Sequence, residues 1–312
     1  MMLSRRSMAT SSGAAVLAGL LGSRSAFAQT PSARDEAPWV TPAVVAPGLE
    51  QVVFASEAAR TEVSFHVLSP PGLDHQDPRR FPTLYWLHGT GGATASVRPM
   101  AALFARAMRT GQMPPAFVVL PNGLGSSLWC NSRNGSKPVE TVLMREIIPL
   151  VDGRFRTVND RSYRVIEGFS MGGFGAGRLG FRYPETFAAV SMLGAGPLQA
   201  EFTLDSVARS NRRLQPQILA DVFGSDQAYF RSESPRGIAR LNADRLRQGL
   251  RIRIAIGEDD FTLPANREFS EFLSTLGLPH GFTVVPGVDH NAPRLFGALG
   301  FDFHREVLPA PR

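Results

Sequence analysis

Of the 312 residues only one is cysteine, Cys130. A lone thiol excludes an internal disulfide. The sequence also shows neither the histidine nor the electropositive setting that a catalytic cysteine needs, so Cys130 reads as a packed side chain. Long apolar runs are missing too. The run at residues 13–21 is too short to span roughly 30 Å of hydrocarbon, and no other segment is long and apolar enough to cross a membrane. An excess of one charge sign is small: 33 Lys and Arg stand against 27 Asp and Glu. Three of those arginines, Arg5, Arg6 and Arg24, fall in the first 28 residues. Without that segment the balance is 30 against 27, a net +3, which gives no reason to propose nucleic acid as a partner. Internal repeats and long low-complexity tracts are absent as well, which argues against a solenoid or a disordered chain.

What is present describes a core-forming globular protein: 43% hydrophobic residues, 19% charged, and 21 Phe to supply bulk. The length suits one large or two small domains. The start is a targeting segment. Ser4-Arg5-Arg6-Ser7-Met8 is a twin-arginine region, residues 13–21 are a short apolar core, and Ala26-Phe27-Ala28 is an A-x-A cleavage site. Residues 1–28 are therefore expected to be a twin-arginine-type signal peptide, with a mature chain from near Gln29 in the periplasm or outside the cell. Residues 29–49, rich in Pro and Ala, read as a loose lead-in.

Hydropathy patterning then predicts strands at 50–56 and 61–69, joined by a short turn and alternating as a half-exposed antiparallel pair does. His66 falls on the strand surface in this reading, and His75 in a solvated loop. Apolar runs at 82–88 and 116–120, the run ending at Phe169, and those at 188–193, 251–256 and 282–285 read as further strands. Helical spacing falls at 97–109, at 139–151 with Pro149 at its end, at 173–182, at 264–276 and at 292–306. Two antiparallel N-terminal strands followed by alternating strands and helices predict a mostly parallel, doubly wound α/β sheet in one domain over residues 50–312. The alternation lapses at 194–250, a helical insertion expected to act as a cap over the site. Ligands of such sheets bind at the carboxyl ends of the strands.

One stretch organises the chain: Val165-Ile166-Glu167-Gly168-Phe169-Ser170-Met171-Gly172-Gly173. An apolar strand runs into Gly168-x-Ser170-x-Gly172 and a small-residue helix follows, the pattern of a strand-turn-helix elbow that exposes one serine hydroxyl. A serine hydroxyl is a weak nucleophile without a base, and the base needs an orienting acid. Of the histidines after Ser170, His290 lies in a loop just past the last strand. His280 lies at the wrong end of the sheet and His304 inside a helix. The acid comes from Gly257-Glu258-Asp259-Asp260, directly after a strand. Asp260 is favoured over Asp259, because the fourth residue of a turn from Gly257 returns to the site; Glu258 and Asp289 stay open as alternatives. Oxyanion donors are expected at the Met171 amide and in the loop Leu87-His88-Gly89-Thr90-Gly91-Gly92, with Thr90 preferred and Gly91 behind it. His88 reads as a structural hydrogen-bonding residue. Trp129, Phe174, Leu198 and Phe261 adjoin these loops and are candidate pocket residues.

These motifs resemble the esterase D family of the α/β-hydrolases, which includes feruloyl esterases, S-formylglutathione hydrolases, enterochelin esterases and mycolyltransferases. The resemblance covers about residues 52–303. It rests on Leu84-Tyr85-Trp86-Leu87-His88-Gly89, on Glu146-Ile147-Ile148-Pro149-Leu150-Val151-Asp152 with Phe155-Arg156-Thr157, and on Gly168-Phe169-Ser170-Met171-Gly172-Gly173. Phe223-Gly224-Ser225, Ser234-Pro235, Gly257 to Asp260, and Pro286-Gly287 to His290 also match. Glu167 departs from the family, standing where a small residue is usual, and Asn291 stands where an aromatic is common. The resemblance implies an α/β-hydrolase fold and a serine carboxylesterase with Ser170, Asp260 and His290 as its triad, which the signal segment is expected to export. No metal or organic cofactor is implied. The expected partner is a small-molecule or carbohydrate-linked ester. An acyltransferase using the same acyl-enzyme and an inactive hydrolase-fold binding protein are the alternatives.

Overall fold

A computed structural model describes residues 38–74, 76–202 and 215–312. The expected signal peptide, residues 29–37 of the lead-in, His75 and residues 203–214 of the expected cap lie outside the described residues.

The strands are β1 (Leu49–Ser56), β2 (Thr61–Leu68), β3 (Thr83–Leu87), β4 (Phe117–Pro121), β5 (Arg164–Phe169), β6 (Ala189–Leu193), β7 (Arg251–Gly257) and β8 (Gly281–Val285). They form one eight-stranded sheet in the order β1-β2-β4-β3-β5-β6-β7-β8. β2 pairs antiparallel with β1 and with β4, and all other pairs are parallel. Both faces are covered, so the central strands are continuous apolar runs. Within β3 the side chains divide by alternation: Leu84 and Trp86 enter one core, and Tyr85 and Leu87 the other. This is the α/β-hydrolase fold.

Helix α1 (Val97–Arg109) packs on the first face with α9 (Ala292–Leu299) and α10 (Asp302–Val307). The opposite face carries α2 (Val139–Thr141), α3 (Ile148–Arg154), α4 (Met171–Arg182), and α8 (Leu263–Thr275). Between β6 and β7 stand α5 (Gln215–Phe223), α6 (Gln227–Glu233) and α7 (Pro235–Leu246), with Phe223 and Phe230 joining the α4 core.

Four sequence expectations are corrected. The lead-in is not loose over residues 38–47. Ser64 N–H donates to Trp39 O (2.9 Å), Thr41 N–H to Ser64 Oγ (2.9 Å), and Asn122 Nδ2 to the carbonyls of Pro38 and Trp39 (2.8 and 2.9 Å). The segment covers β2, so His66 is buried and its Nε2 accepts the Val44 N–H (3.3 Å), and it is no surface residue. Pro149 does not end its helix, which continues to Arg154. A π-turn over Val142–Ile147 precedes α3, and its wider spacing accommodates the missing N–H and the ring. The single terminal helix is two, because Gly300 sits at φ 64° between α9 and α10.

Candidate active site

The β5–α4 turn places Ser170 at φ 58°, ψ −118°, a region that costs a non-glycine residue about 1–3 kcal/mol. The flanking glycines make it possible. A Cβ on Gly168 would run into the Gly172 carbonyl, and one on Gly172 into the Leu87 carbonyl. The Ser170 N–H is held by Leu193 O on the neighbouring strand (2.9 Å).

His290 follows β8 and Asp260 follows β7, and the two turns are bonded together. Glu258 N–H donates to Val285 O (2.8 Å) and Asp259 N–H to Val288 O (3.0 Å). Gly257 lies so close to Val288 O that no side chain would fit there. Within this clasp, His290 Nδ1 is 2.7 Å from Asp260 Oδ2 and His290 Nε2 is 2.9 Å from Ser170 Oγ. An ionised carboxylate only accepts, so Nδ1–H donates to Asp260; Nε2 is then the acceptor and Ser170 O–H the donor. Asp260 is 3% exposed, and its other oxygen accepts from Thr262 N–H and Thr262 Oγ1–H, both at 2.8 Å. The alternative acids are engaged elsewhere. Asp289 pairs with Arg294 (2.7 Å), Glu258 accepts the Gly287 N–H (3.2 Å), and Asp259 is exposed.

Two phenyl rings lie on the imidazole, which the sequence reading did not anticipate for Phe169. Phe169 and Phe261 each stand with their centroids 4.6 Å from His290. One precedes the serine and the other follows the aspartate, the only signal the sequence carries for them. Gly194 leaves room for the Phe169 ring, since a Cβ there would come within 2.8 Å of it.

The loop after β3 approaches from the other side, with Gly89 against Ser170. Its Gly91 N–H already donates to Gly125 O (2.8 Å) and its Gly92 N–H to Gly89 O (2.9 Å). Among the described residues the Thr90 N–H has no backbone acceptor, and Met171, at the first position of α4, has no intrahelical acceptor. His88 anchors this loop. Burial lowers its pKa to about 4, so the ring is neutral. Its Nδ1–H donates to Gly89 O (2.8 Å) and its Nε2 accepts the Gly123 N–H (3.0 Å).

Of the four candidate pocket residues, three are core. Trp129 is 0% exposed at φ 57°, its indole N–H donating to His88 O (3.2 Å). Phe174 is buried against Phe230, and Leu198 is also buried. Closeness in sequence to a catalytic loop does not set the direction of a side chain. Phe261, 42% exposed, is the one at the surface. Cys130 is buried, and burial pushes its thiol up to about 12. His280 bonds Ser270 Oγ and Leu278 O, away from the triad.

Directly beneath the elbow lies a charged cluster that the sequence did not reveal. Glu167 pairs with Arg253 (2.6 Å) and with His304 Nε2 (3.1 Å), and Arg253 also bonds Ser191 Oγ. Burial opposes the charge on Glu167, but His304, Arg253 and Ser191 together hold its carboxyl at about 2.

An α/β-hydrolase sheet, a serine elbow and a hydrogen-bonded Asp-His-Ser line define the class. Comparison with known proteins gives the family. Residues 56–290 match the family described as "Putative esterase", and the chain belongs to that family. Esterase MT1326 of Mycobacterium tuberculosis is 30% identical over 241 residues, 70% of this chain, and the chain spans about half (50%) of that relative's length. Among solved structures, a ferulic acid esterase superposes with TM-score 0.65 at 23% identity, covering 83% of this chain and 95% of that one. An S-formylglutathione hydrolase from Agrobacterium tumefaciens gives TM-score 0.66 at 21% identity, over 85% and 98% of the two chains. The family is thus that of the esterases, and the solved structures share its α/β-hydrolase fold.

Proposed function

We propose that the protein hydrolyses carboxylic esters through an acyl-enzyme on Ser170. The observation that carries this is the unbroken line Asp260 Oδ2, His290, Ser170 Oγ, at 2.7 and 2.9 Å. Ser170 Oγ attacks the ester carbonyl carbon as its proton passes to His290 Nε2. The carbonyl oxygen becomes an oxyanion, held by the Thr90 and Met171 N–H groups. Asp260 stabilises the imidazolium and fixes the ring. The C–O bond to the alcohol then breaks, and the proton on Nε2 goes to the leaving oxygen. Water enters and gives a proton to Nε2 as its oxygen attacks the acyl carbon. Collapse returns that proton to Ser170 Oγ and frees the acid. Every proton that moves is accounted for within the serine, the histidine, the alcohol and water.

The substrate class is a small-molecule or carbohydrate-linked ester, and export by the twin-arginine route would bring the enzyme to it in the periplasm or beyond. An alkyl fluorophosphonate tests the chemistry directly. It should label the wild type at Ser170 and abolish ester turnover, and an unlabelled Ser170 in a protein that still turns over esters would refute the mechanism.

A further inference from the structure

A cleft of about 320 Å³ opens beside the elbow on the α1 face of the sheet. Its position ties it to the reacting atoms. One wall is the loop Gly89 to Gly92, which we assign to the oxyanion. Another is Phe169, next to Ser170 in sequence and in contact with His290. A third is Ala292 and Pro293, two and three residues after His290. Trp86 and Met100, both 2% exposed, reach it from the core. The cleft therefore shares the Gly89–Gly92 loop and Phe169 with the candidate site.

Its chemistry is uniform. Among the described residues that line it none carries a charge, and the polar side-chain groups are the hydroxyls of Thr90 and Ser96 and the indole N–H of Trp86, which has no hydrogen-bond partner among the described residues. Ser96 Oγ–H is committed to Gly92 O at 2.6 Å. A charged group entering here would lose its hydration with no ion to replace it, whereas an apolar group would leave water for contacts with Trp86, Met100, Pro99 and Phe169. At about 320 Å³ the volume lies at the lower end of small-molecule sites, which span roughly 300–1,000 Å³.

We propose that this cleft binds the acyl group of the substrate, and that the enzyme acts on esters of uncharged, apolar acids about as large as one ring or a short chain. The inference rests on the serine esterase reading above. The acyl side follows from His290. Its Nε2 must face the leaving oxygen, and the ring on that imidazole that does not line the cleft is Phe261, 42% exposed. The alcohol therefore departs past Phe261 into solvent, and the acyl group takes the walled direction.

Two series of chromogenic esters test this. One varies the acid (acetate, butyrate, hexanoate, benzoate, hemisuccinate) on a constant nitrophenol, and the other varies the alcohol on a constant acetate. In the wild type, kcat/KM for butyrate and benzoate should exceed that for hemisuccinate by about 100-fold, the cost of an unpaired charge in such a cleft. Ala95→Phe places a ring in the cleft and should lower the benzoate-to-acetate ratio by about tenfold or more, through steric exclusion. Met100→Ala removes buried bulk and should raise the hexanoate-to-butyrate ratio by roughly threefold or more. In neither variant should the alcohol series reorder. Reordering of the alcohol series with an unmoved acid series would overturn the acyl assignment. Acid ratios unmoved in both variants, or hemisuccinate turned over as well as butyrate, would remove the cleft from the site. Failure of the parent reading looks different: the wild type would turn over none of the esters and would resist the fluorophosphonate.

Discussion

Asp260→Asn isolates the charge of the proposed triad acid without changing its shape. The Asp260 carboxyl has two neighbours of fixed polarity. Thr262 presents N–H and O–H donors to Oδ1, each at 2.8 Å, and His290 Nδ1 meets Oδ2 at 2.7 Å. An asparagine there must give its carbonyl to the Thr262 donors, which turns its NH₂ toward Nδ1. That NH₂ donates, so Nδ1 must become the acceptor and the ring proton moves to Nε2. A protonated Nε2 cannot take the Ser170 proton. By analogy with a serine protease in which the same change is known, kcat should fall by about 10⁴, or about 5.5 kcal/mol of barrier, with KM little changed. Asp259→Asn is the control. Its side chain is exposed, so the loss should stay under about tenfold. Initial rates on a nitrophenyl ester at neutral pH, with thermal midpoints for both variants, make the comparison. A damaging Asp259→Asn beside a mild Asp260→Asn would refute the tautomer argument outright.

Ser170→Ala should lower turnover by about 10⁴-fold or more while far-UV circular dichroism stays native, and a residual rate near a tenth of wild type would exclude the serine. Phe261→Ala takes one ring from the imidazole and should cost roughly two- to fivefold in kcat, with Phe261→Tyr restoring it; equal rates for all three would show that the ring does nothing for the base. Glu167 is held at about 2 in the folded protein against an ordinary 4.5. A depressed carboxyl stabilises fully above its unfolded value, so this contribution should fade as pH drops from about 4.5 towards 2. Urea midpoints across that window should fall more steeply for wild type than for Glu167→Gln, and parallel curves would contradict the pairing. Arg5→Lys with Arg6→Lys should strand the protein in the cytoplasm if the twin-arginine machinery reads the signal as an address, and undiminished periplasmic activity would show a different route.

The parts of the site that the sequence made legible are those governed by local rules. Ser170 could be found because a nucleophile elbow needs small residues two positions either side, and Gly168 and Gly172 satisfy that within five residues. Asp260 followed from the length of one turn, and His290 from the end of one strand. The rest depends on partners far away in the chain. His66 looked like a surface residue because its cover comes from Val44, on a segment with no strand pattern. The π-turn before Pro149 leaves no hydropathy signature. Trp129 and Phe174 sit beside catalytic loops in sequence but point into the core, and side-chain direction in a loop has no periodicity to read. Glu167 registered only as an unusual residue before Gly168, since its partners stand 86 and 137 positions away.

That cluster also bears on how the site is held. Across the sheet Glu167 faces Ser191, and Ser191 faces Arg253, so the three polar side chains form one row over β5, β6 and β7. The next rows carry Gly168 and Phe169, Met192 and Leu193, and Ile254 and Ala255, and they end at Ser170 and at the turn bearing Asp260. A slip of one residue between these strands would turn the side chains of the slipped strand to the opposite face, leaving Glu167 or Arg253 buried without its partner. An apolar row of the same shape could be as stable, but it would penalise that slip far less. His304, from α10, and Phe303, whose ring lies 4.3 Å from the Arg253 guanidinium, tie the C-terminal helix to the same row. The departure at Glu167 therefore falls where strand register sets the separation of serine and acid. Glu167 bears on the candidate site through that register, which fixes the strand ends leading to Ser170 and to the turn bearing Asp260.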